Sequence, residues 1–252
     1  MTDRTTLIAE MNRAALDAGR IILDIYHKGF EAERKADGSP VTEADRQAEA
    51  LILERLKAAA PDIPIVSEEN AASHSLKPPE RFFLVDPLDG TKEFVSRNGE
   101  FTVNIALIER GVPVLGVVYA PVKGGLYWVD AQGRAVEARD GKEAVIRARP
   151  SPAEGLVAAV SRSHLDQASQ DYLAHYKIAG TISAGSSLKF CLVARGEADV
   201  YPRFGTTNEW DTAAGDAVLR AAGGRMLTPD GQVFRYAKPN YRNGPYIAWG
   251  AP

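Results

Sequence analysis

Two carboxylates three positions apart, Asp86 and Asp89, end an apolar run in Phe82-Phe83-Leu84-Val85-Asp86-Pro87-Leu88-Asp89-Gly90-Thr91-Lys92-Glu93-Phe94. The residues from Arg81 to Val85 suit a buried strand, and Pro87, which has no N–H to give, is expected to end its ladder where the acids begin. Across a turn the two acids can converge while the Leu88 carbonyl points to the same side, and hard divalent cations take such oxygens. Gly90 lets the backbone approach a ligand closely, and Thr91-Lys92-Glu93-Phe94 can open a short helix whose first amides lack internal partners. Such an end favours phosphate. An Asp-Gly pair alone is an ordinary turn signal. Strand, acid pair, glycine and helix start together predict a place where metal ions and a phosphate meet.

The flanking chain supplies elements to hold that place. Leu7, Ile8, Met11, Ala14, Ala15, Ala18, Ile21, Ile22 and Ile25 recur at helical spacing and predict a long amphipathic helix. Thr42 reads as the N-cap of a second helix over Glu43–Ala60, with Asp45 in its first turn, where a carboxylate suits the helix dipole. Pro61 to Asn70 reads as a short strand ending in Glu68 and Glu69, of which one faces the site because adjacent side chains on extended backbone point opposite ways. Ala71 to Glu80 suits a surface loop. Phe101–Glu109 and Val112–Ala120 predict a hairpin about Arg110-Gly111, continued as a meander through Leu126–Val129, Arg134–Glu137 and Ala144–Ile146.

Pro150 and Pro152 mark a soft boundary, so residues 1–149 and 150–252 are read as an N-terminal α+β domain and a C-terminal α/β domain. In the second, Leu156–Ser161 and Ile178–Ala184 read as strands, followed by a helix around Leu188 to Val193. Ala198–Tyr201 reads as a strand and Pro202–Glu209 as a loop before a helix that Asp211 starts.

At 252 residues, 45% hydrophobic and 25% charged, the chain is that of a soluble globular protein. Thirty basic against 33 acidic residues leave a net charge of −3, which gives a nucleic-acid polymer no support as ligand. The amino terminus lacks a basic region followed by an apolar core, and no apolar run reaches the ~20 residues of a membrane span. The expectation is a cytoplasmic protein, monomer or homodimer, with peripheral association at the inner membrane left open. The single Cys191 reads as a small core residue, and the His residues at 27, 74, 164 and 175 show no zinc-ligand spacing.

The order strand, Asp-Pro-Leu-Asp-Gly-Thr resembles the inositol monophosphatase superfamily of metal-dependent phosphatases. The haloacid-dehalogenase phosphatases, a competing reading, space their two aspartates two apart. Asp89-Gly90-Thr91-Lys92-Glu93-Phe94 is similar to the 3'(2'),5'-bisphosphate nucleotidase branch, whereas inositol phosphatases proper usually carry a neutral residue in place of Lys92. Trp210-Asp211-Thr212-Ala213-Ala214-Gly215 is similar to the second signature of the same superfamily. The resemblance runs from about Thr5 to Trp249.

It implies a mixed α+β fold, a layered αβαβα sandwich, and two or three Mg²⁺ per site. Glu68, Asp86 and the Leu88 carbonyl are then expected to hold a first ion, and Asp86, Asp89 and Asp211 a second, with Asp86 bridging. Asp45 and Thr91 are expected to activate the attacking water, with Glu68 counted among the catalytic groups, and the amides of Gly90 and Thr91 to hold phosphate. Lys92, Ser161, His164, Ser186, Lys189 and Arg203 are the expected substrate contacts. A second phosphate calls for cations such as Lys189 and Arg203. The implied substrate is therefore adenosine 3',5'-bisphosphate, converted to AMP, with 3'-phosphoadenylylsulfate as a possible second substrate in sulfur assimilation, and with lithium as an expected inhibitor. The alternatives are an inositol or sugar phosphatase and, in another class, a catalytically silent nucleotide or metal sensor.

Overall fold

Periodicity alone accounts for the first layer. The computed structural model describes residues 3–34, 40–162 and 166–252. Helix α1 (Arg4–Lys28) is capped by Asp3, which accepts from Thr5 N and Thr6 N, and it buries Leu7, Met11, Ala14, Ala18 and Ile22. A ribbon of β1 (Ala32–Arg34) and β2 (Pro40–Thr42) leads to α2 (Glu43–Ala59), capped by Thr42 as the sequence predicts. The two helices lie together on one face of a seven-stranded sheet.

That sheet runs in the order β3 (Ile65–Ser67), β4 (Arg81–Asp89), β5 (Thr102–Glu109), β6 (Val112–Ala120), β7 (Gly125–Val129), β8 (Ala135–Arg139) and β9 (Lys142–Val145). β3 pairs parallel to β4; every later pair is antiparallel, as consecutive hairpins require. Alternation divides β4 between two cores. Phe83 and Val85 join α1 and α2, while Phe82 and Leu84 face the other way.

Short helix α3 (Thr91–Val95) follows β4. Beyond residue 150, a second sheet has the order β11 (Ile178–Ala184), β10 (Leu156–Ser161), β12 (Val200–Arg203), β16 (Tyr246–Trp249) and β14 (Arg225–Leu227). Helix α4 (Gln167–Leu173) packs its Leu173 on one face of this sheet. Helices α5 (Leu188–Ala194) and α6 (Glu209–Ala221) fill the space between the two sheets, where Phe190, Ala213, Ala214 and Val218 meet Phe82 and Leu84 on one side and Tyr201 and Ala248 on the other. A two-stranded ribbon, β13 (Thr207–Asn208) with β15 (Arg242–Asn243), flanks the start of α6.

The layers therefore run helix pair, sheet, helix pair, sheet, helix, which is the αβαβα order expected. One core crosses the sequence boundary at 149/150, because α6 lies directly on β4, β5 and β6. Gly116 makes that approach possible: a Cβ there would stand 2.6 Å from the Ala214 carbonyl. Among the described residues no helix is long and apolar enough to cross a membrane.

Two expectations need correction. β4 does not stop at the acids but continues through Pro87 to Asp89. β12 likewise continues through Pro202 to Arg203, which the sequence suggests is loop, because its partner β16 extends alongside to Tyr246.

Candidate active site

The continuation of β4 is what brings Asp86 and Asp89 together. In a regular strand, residues three apart point to opposite faces. Here Asp86 pairs with Asn104 and Asp89 with Thr102, so three steps along β4 match two along β5. The extra residue is a bulge, and it returns the second acid to the side of the first. Pro87 sits inside it, where the ladder is already interrupted and a missing N–H costs nothing.

Asp86 is buried, and its Oδ1 accepts from Leu88 N at 3.1 Å. Oxygens of Glu68, Asp86 and Asp211 lie within 4.8 Å of one another, the one such group among the described residues, and none of its members is a histidine. Burial, then the charges of Glu68, Asp89 and Asp211, holds the Asp86 carboxyl well above the usual range. Burial and the charges of Asp89 and Glu68 do the same to Asp211. These groups repel one another as anions, which is the electrostatics of a site built for cations.

Asp89 stands beside that trio with its own support. Its Oδ2 accepts from Ser187 N at 2.6 Å, Thr102 Oγ1 at 3.3 Å and Asn104 Nδ2 at 3.3 Å. Burial raises its carboxyl, and Lys189 and the Ser187 amide oppose the shift. The Ser187 hydroxyl donates to Asn104 Oδ1 at 2.7 Å and lies 2.8 Å from Thr102 Oγ1, so β5 and the start of α5 hold Asp89 jointly.

Glu68 follows a residue fixed through its side chain and its amide. Ser67 Oγ donates to Glu49 Oε1, and Ser67 N donates to Ser73 Oγ at 3.2 Å. Glu69 N also donates to Glu49 Oε1, at 3.2 Å, and Glu68 N bonds Val85 O at 3.1 Å. The acid pair at 68–69 thus lies in a turn just past β3, which ends at Ser67 rather than in the acids, with Glu68 turned to the cluster.

Asp45 is buried at the start of α2, where its Oδ2 accepts from Thr42 N at 2.8 Å and Thr42 Oγ1 at 2.7 Å. Its Oδ1 accepts from Thr91 Oγ1 at 3.2 Å, across 46 residues of sequence. Thr91 Oγ1 is also 3.4 Å from Leu88 O. Burial is the main reason that the Asp45 carboxyl is raised to about 6.

Asp211 does not cap its helix, as the sequence suggests; Asn208 does. Asp211 is the third residue of α6 and its Oδ2 accepts from Asn208 N at 2.8 Å. Gly90 has φ 93° and ψ 46°, the left-handed region, and a Cβ there would stand 2.2 Å from Ser186 Oγ.

One pocket is lined by Glu68, Asp89, Gly90, Thr91 and Asp211 together with Lys92, Ser161, Ser186, Lys189 and Arg203. Thus the substrate contacts expected from sequence share the cavity with the acids, except His164, which lies outside the described residues. They are not alike. Ser186 Oγ lies 2.8 Å from Asp89 O and 2.7 Å from Glu100 O, tying α5 to the loop around Gly90. Lys189 is buried, and its Nζ donates to Ser186 O at 2.7 Å and Ala184 O at 3.2 Å, over the Tyr201 ring. Burial lowers its ammonium to about 8, and Asp89 opposes the shift. Arg203 is half-buried at the end of β12.

Glu49, Thr102, Asn104 and Ser187 escape a reading from sequence. A signal exists for two of them: Thr102 and Asn104 are polar, two apart, and therefore on one face of an otherwise apolar strand. Glu49 carries none, because an acid on a helix face reads as solvated.

The model of the inositol monophosphatase family matches residues 3–249. The chain is 48% identical over 233 residues to the 3'(2'),5'-bisphosphate nucleotidase CysQ of Salmonella typhimurium, covering 91% of this chain and 94% of the relative. It is 46% identical, over the same shares, to the protein of that name from Escherichia coli K12. Among solved structures it is similar to CysQ from Bacteroides thetaiotaomicron, with a TM-score of 0.86 and 37% identity over 99% of this chain and 98% of the other. The inositol monophosphatase of Anabaena gives a TM-score of 0.78 at 26% identity, over 98% and 91%. With the carboxylate trio, the layered fold and these relatives in agreement, the chain belongs to the inositol monophosphatase family.

Proposed function

We propose that this protein is a Mg²⁺-dependent 3'(2'),5'-bisphosphate nucleotidase that hydrolyses the 3'-phosphate of adenosine 3',5'-bisphosphate to give AMP and phosphate. The observation that carries the reading is the cluster of Glu68, Asp86 and Asp211, of which Glu68 and Asp211 line one pocket together with Arg203. The CysQ relatives carry the nucleotidase name, and a cation such as Arg203 is what a second phosphate needs and a neutral polyol does not.

The oxygens of the trio fit divalent cations: they are hard and anionic, and burial and like charge raise the proton affinity of Asp86 and Asp211. Glu68, Asp86 and the Leu88 carbonyl would hold one ion, and Asp86, Asp89 and Asp211 another. When bound, such ions supply positive charge to a phosphoryl group and its leaving oxygen. The chain's own residues do the rest. Thr91 donates to Asp45, so the lone pairs of Thr91 Oγ1 are left to accept a hydrogen bond from an attacking water. As the water's proton passes to Thr91 Oγ1, the Thr91 hydroxyl proton passes to Asp45, which, its other oxygen pinned by Thr42, is the base of the pair. The turn at Gly90, too tight for a side chain, lets phosphate oxygens reach the amides of Gly90 and Thr91.

Arg203 takes the phosphate that is not cleaved, and 3'-phosphoadenylylsulfate, which carries the same 3'-phosphate, is a second substrate. A silent sensor has no use for the Thr91–Asp45 pair. The test is phosphate release with Mg²⁺ from adenosine 3',5'-bisphosphate, inositol 1-phosphate and fructose 1,6-bisphosphate. The expected order puts the nucleotide first by at least about tenfold in kcat/KM, ~1.4 kcal/mol in transition-state binding. Preference for inositol phosphate would overturn the substrate, and no turnover of any would overturn the enzyme.

A further inference from the structure

Glu68 and Asp211 come from opposite halves of the chain, and one side chain touches the residue before each. His74 lies in the 3-10 turn Ala71–Ser75, a stretch that sequence reads as surface loop. Its Nε2 is 2.8 Å from Ser67 O, and since a carbonyl only accepts, that nitrogen carries the proton. Its ring stacks on Trp210, with centroids 4.6 Å apart and planes at 23°. Ser67 precedes Glu68; Trp210 precedes Asp211.

His74 is the side chain that joins two residues otherwise held within their own halves of the site. The buried Trp210 Nε1 has no hydrogen-bond partner among the described residues, so packing rather than a hydrogen bond orients the indole. Ser67 is held at its amide by Ser73 and at its hydroxyl by Glu49, and its carbonyl, which leads directly into Glu68, accepts from Asn70 N at 3.2 Å and Ser73 Oγ at 3.4 Å, with His74 at 2.8 Å as the shortest of its three contacts and the one that reaches Trp210. We infer that His74 is a positioning residue for the metal cluster: it fixes the spacing of the Glu68 and Asp211 carboxylates by clamping Ser67 O and the Trp210 ring together. It touches no reacting atom. The inference rests on the metal reading above and adds to it the part that sets the cluster's width.

The two contacts can be separated. His74→Phe keeps a stacking face and loses the donor; His74→Gln keeps a donor at the position of Nε2 and loses the ring; His74→Ala loses both. Mg²⁺ is titrated against the melting temperature of each protein, started from chelator-treated samples, and against turnover. Loss of a partner that orients metal ligands costs about 10–100-fold in metal affinity. His74→Ala is therefore expected to need at least about tenfold more Mg²⁺ for the same rise in Tm, with Phe and Gln between it and the wild type, and with kcat at saturating Mg²⁺ changed less than the Mg²⁺ requirement. Tyr241→Phe serves as control: it removes the Tyr241 hydroxyl from Leu76 O, 3.1 Å away in the same segment, and should leave the Mg²⁺ requirement alone. If His74→Ala does not fold, Phe and Gln carry the comparison. A wild-type Tm indifferent to Mg²⁺ would remove the metal reading and this inference with it. A wild type that responds, with His74 variants that respond at the same concentration or no differently from Tyr241→Phe, would overturn the inference alone.

Discussion

Asp45 and Asp211 occupy the same position in two unrelated helices: each is the third residue, and each accepts from the backbone N–H of its own N-cap, Thr42 N and Asn208 N, at 2.8 Å. The cap bond takes Oδ2 in both cases. The other oxygen is left to the pocket, as Thr91 on Asp45 Oδ1 illustrates. A capping box, ordinarily a device of helix stability, here aims a carboxylate.

This separates activity from stability in Asp45→Asn. An amide oxygen still accepts from Thr42 N, so the cap survives, and a buried charge is gone. Loss of the base is expected to lower kcat by about 10²–10⁴-fold. The Tm in chelator, measured by calorimetry above the carboxyl's value of about 6, should be equal to or higher than that of the wild type.

Metal and pH should be coupled with a definite sign. Asp86, Asp89 and Asp211 hold protons more tightly folded than the ordinary 3.8, so from just below 4 upward the folded chain binds more protons than the unfolded one. This contribution to metal-free stability falls as pH rises through the folded values. Cations compete with those protons for the same oxygens. The rise in Tm on adding Mg²⁺ should thus be larger at about pH 8 than at about pH 5. An equal rise at both, in matched thermal scans, would mean that Mg²⁺ acts elsewhere.

Arg203 and Lys189, alike in sequence as basic contacts, should behave differently. Arg203→Ala removes one charge-assisted contact to the second phosphate, ~1.5–3 kcal/mol, or roughly 10- to 150-fold in kcat/KM on the bisphosphate. A monophosphate should change less than about threefold. Lys189→Met instead takes the Nζ donor from Ser186 O, a cost of about 1–3 kcal/mol, leaves Ala184 O with Arg162 N, and withdraws the cation beside Asp89. Both substrates should suffer alike, and Tm should fall. Parallel kinetics on the two substrates tell these patterns apart.

Asn104→Ala removes a donor to Asp89 and the acceptor of the Ser187 hydroxyl, in a strand that is otherwise apolar. A second-layer partner of this kind is expected to be worth about 10–100-fold in activity. The loss should be partly recovered by raising Mg²⁺, which a simple folding defect would not allow.

What sequence could and could not convey divides along physical lines. α1, α2 and the hairpin of β5 and β6 are legible because each repeats its own period over many residues, and the structure places them within a residue or so of expectation. Asp86 and Asp211 are legible through two signatures, and Glu68 only as one of two acids at the end of a short apolar run. The bulge is not: Pro87 reads as a stop, and only a neighbouring strand of different length reveals that β4 passes it. Lys189 reads as a substrate contact like Arg203, and its burial is not legible because it depends on Tyr201 and the carbonyls around it, which are distant or backbone groups. His74 sits in a polar stretch whose meaning lies in Trp210, far along the chain.

The place of β16 bears on the order in which the molecule assembles. β16 is an interior strand, with β12 on one side and β14 on the other, and Arg203 pairs there with Tyr246. A ribosome delivers it after every other strand of that sheet. The meander of β4 to β9 consists of neighbours in sequence and can close early, whereas β12 and β14 must wait for a partner some tens of residues away. Until it docks, the strand bearing Arg203 has no β16 to pair with, and the sheet that backs α6 is open at its middle. Nascent chains therefore carry most of the acids long before they carry a finished pocket.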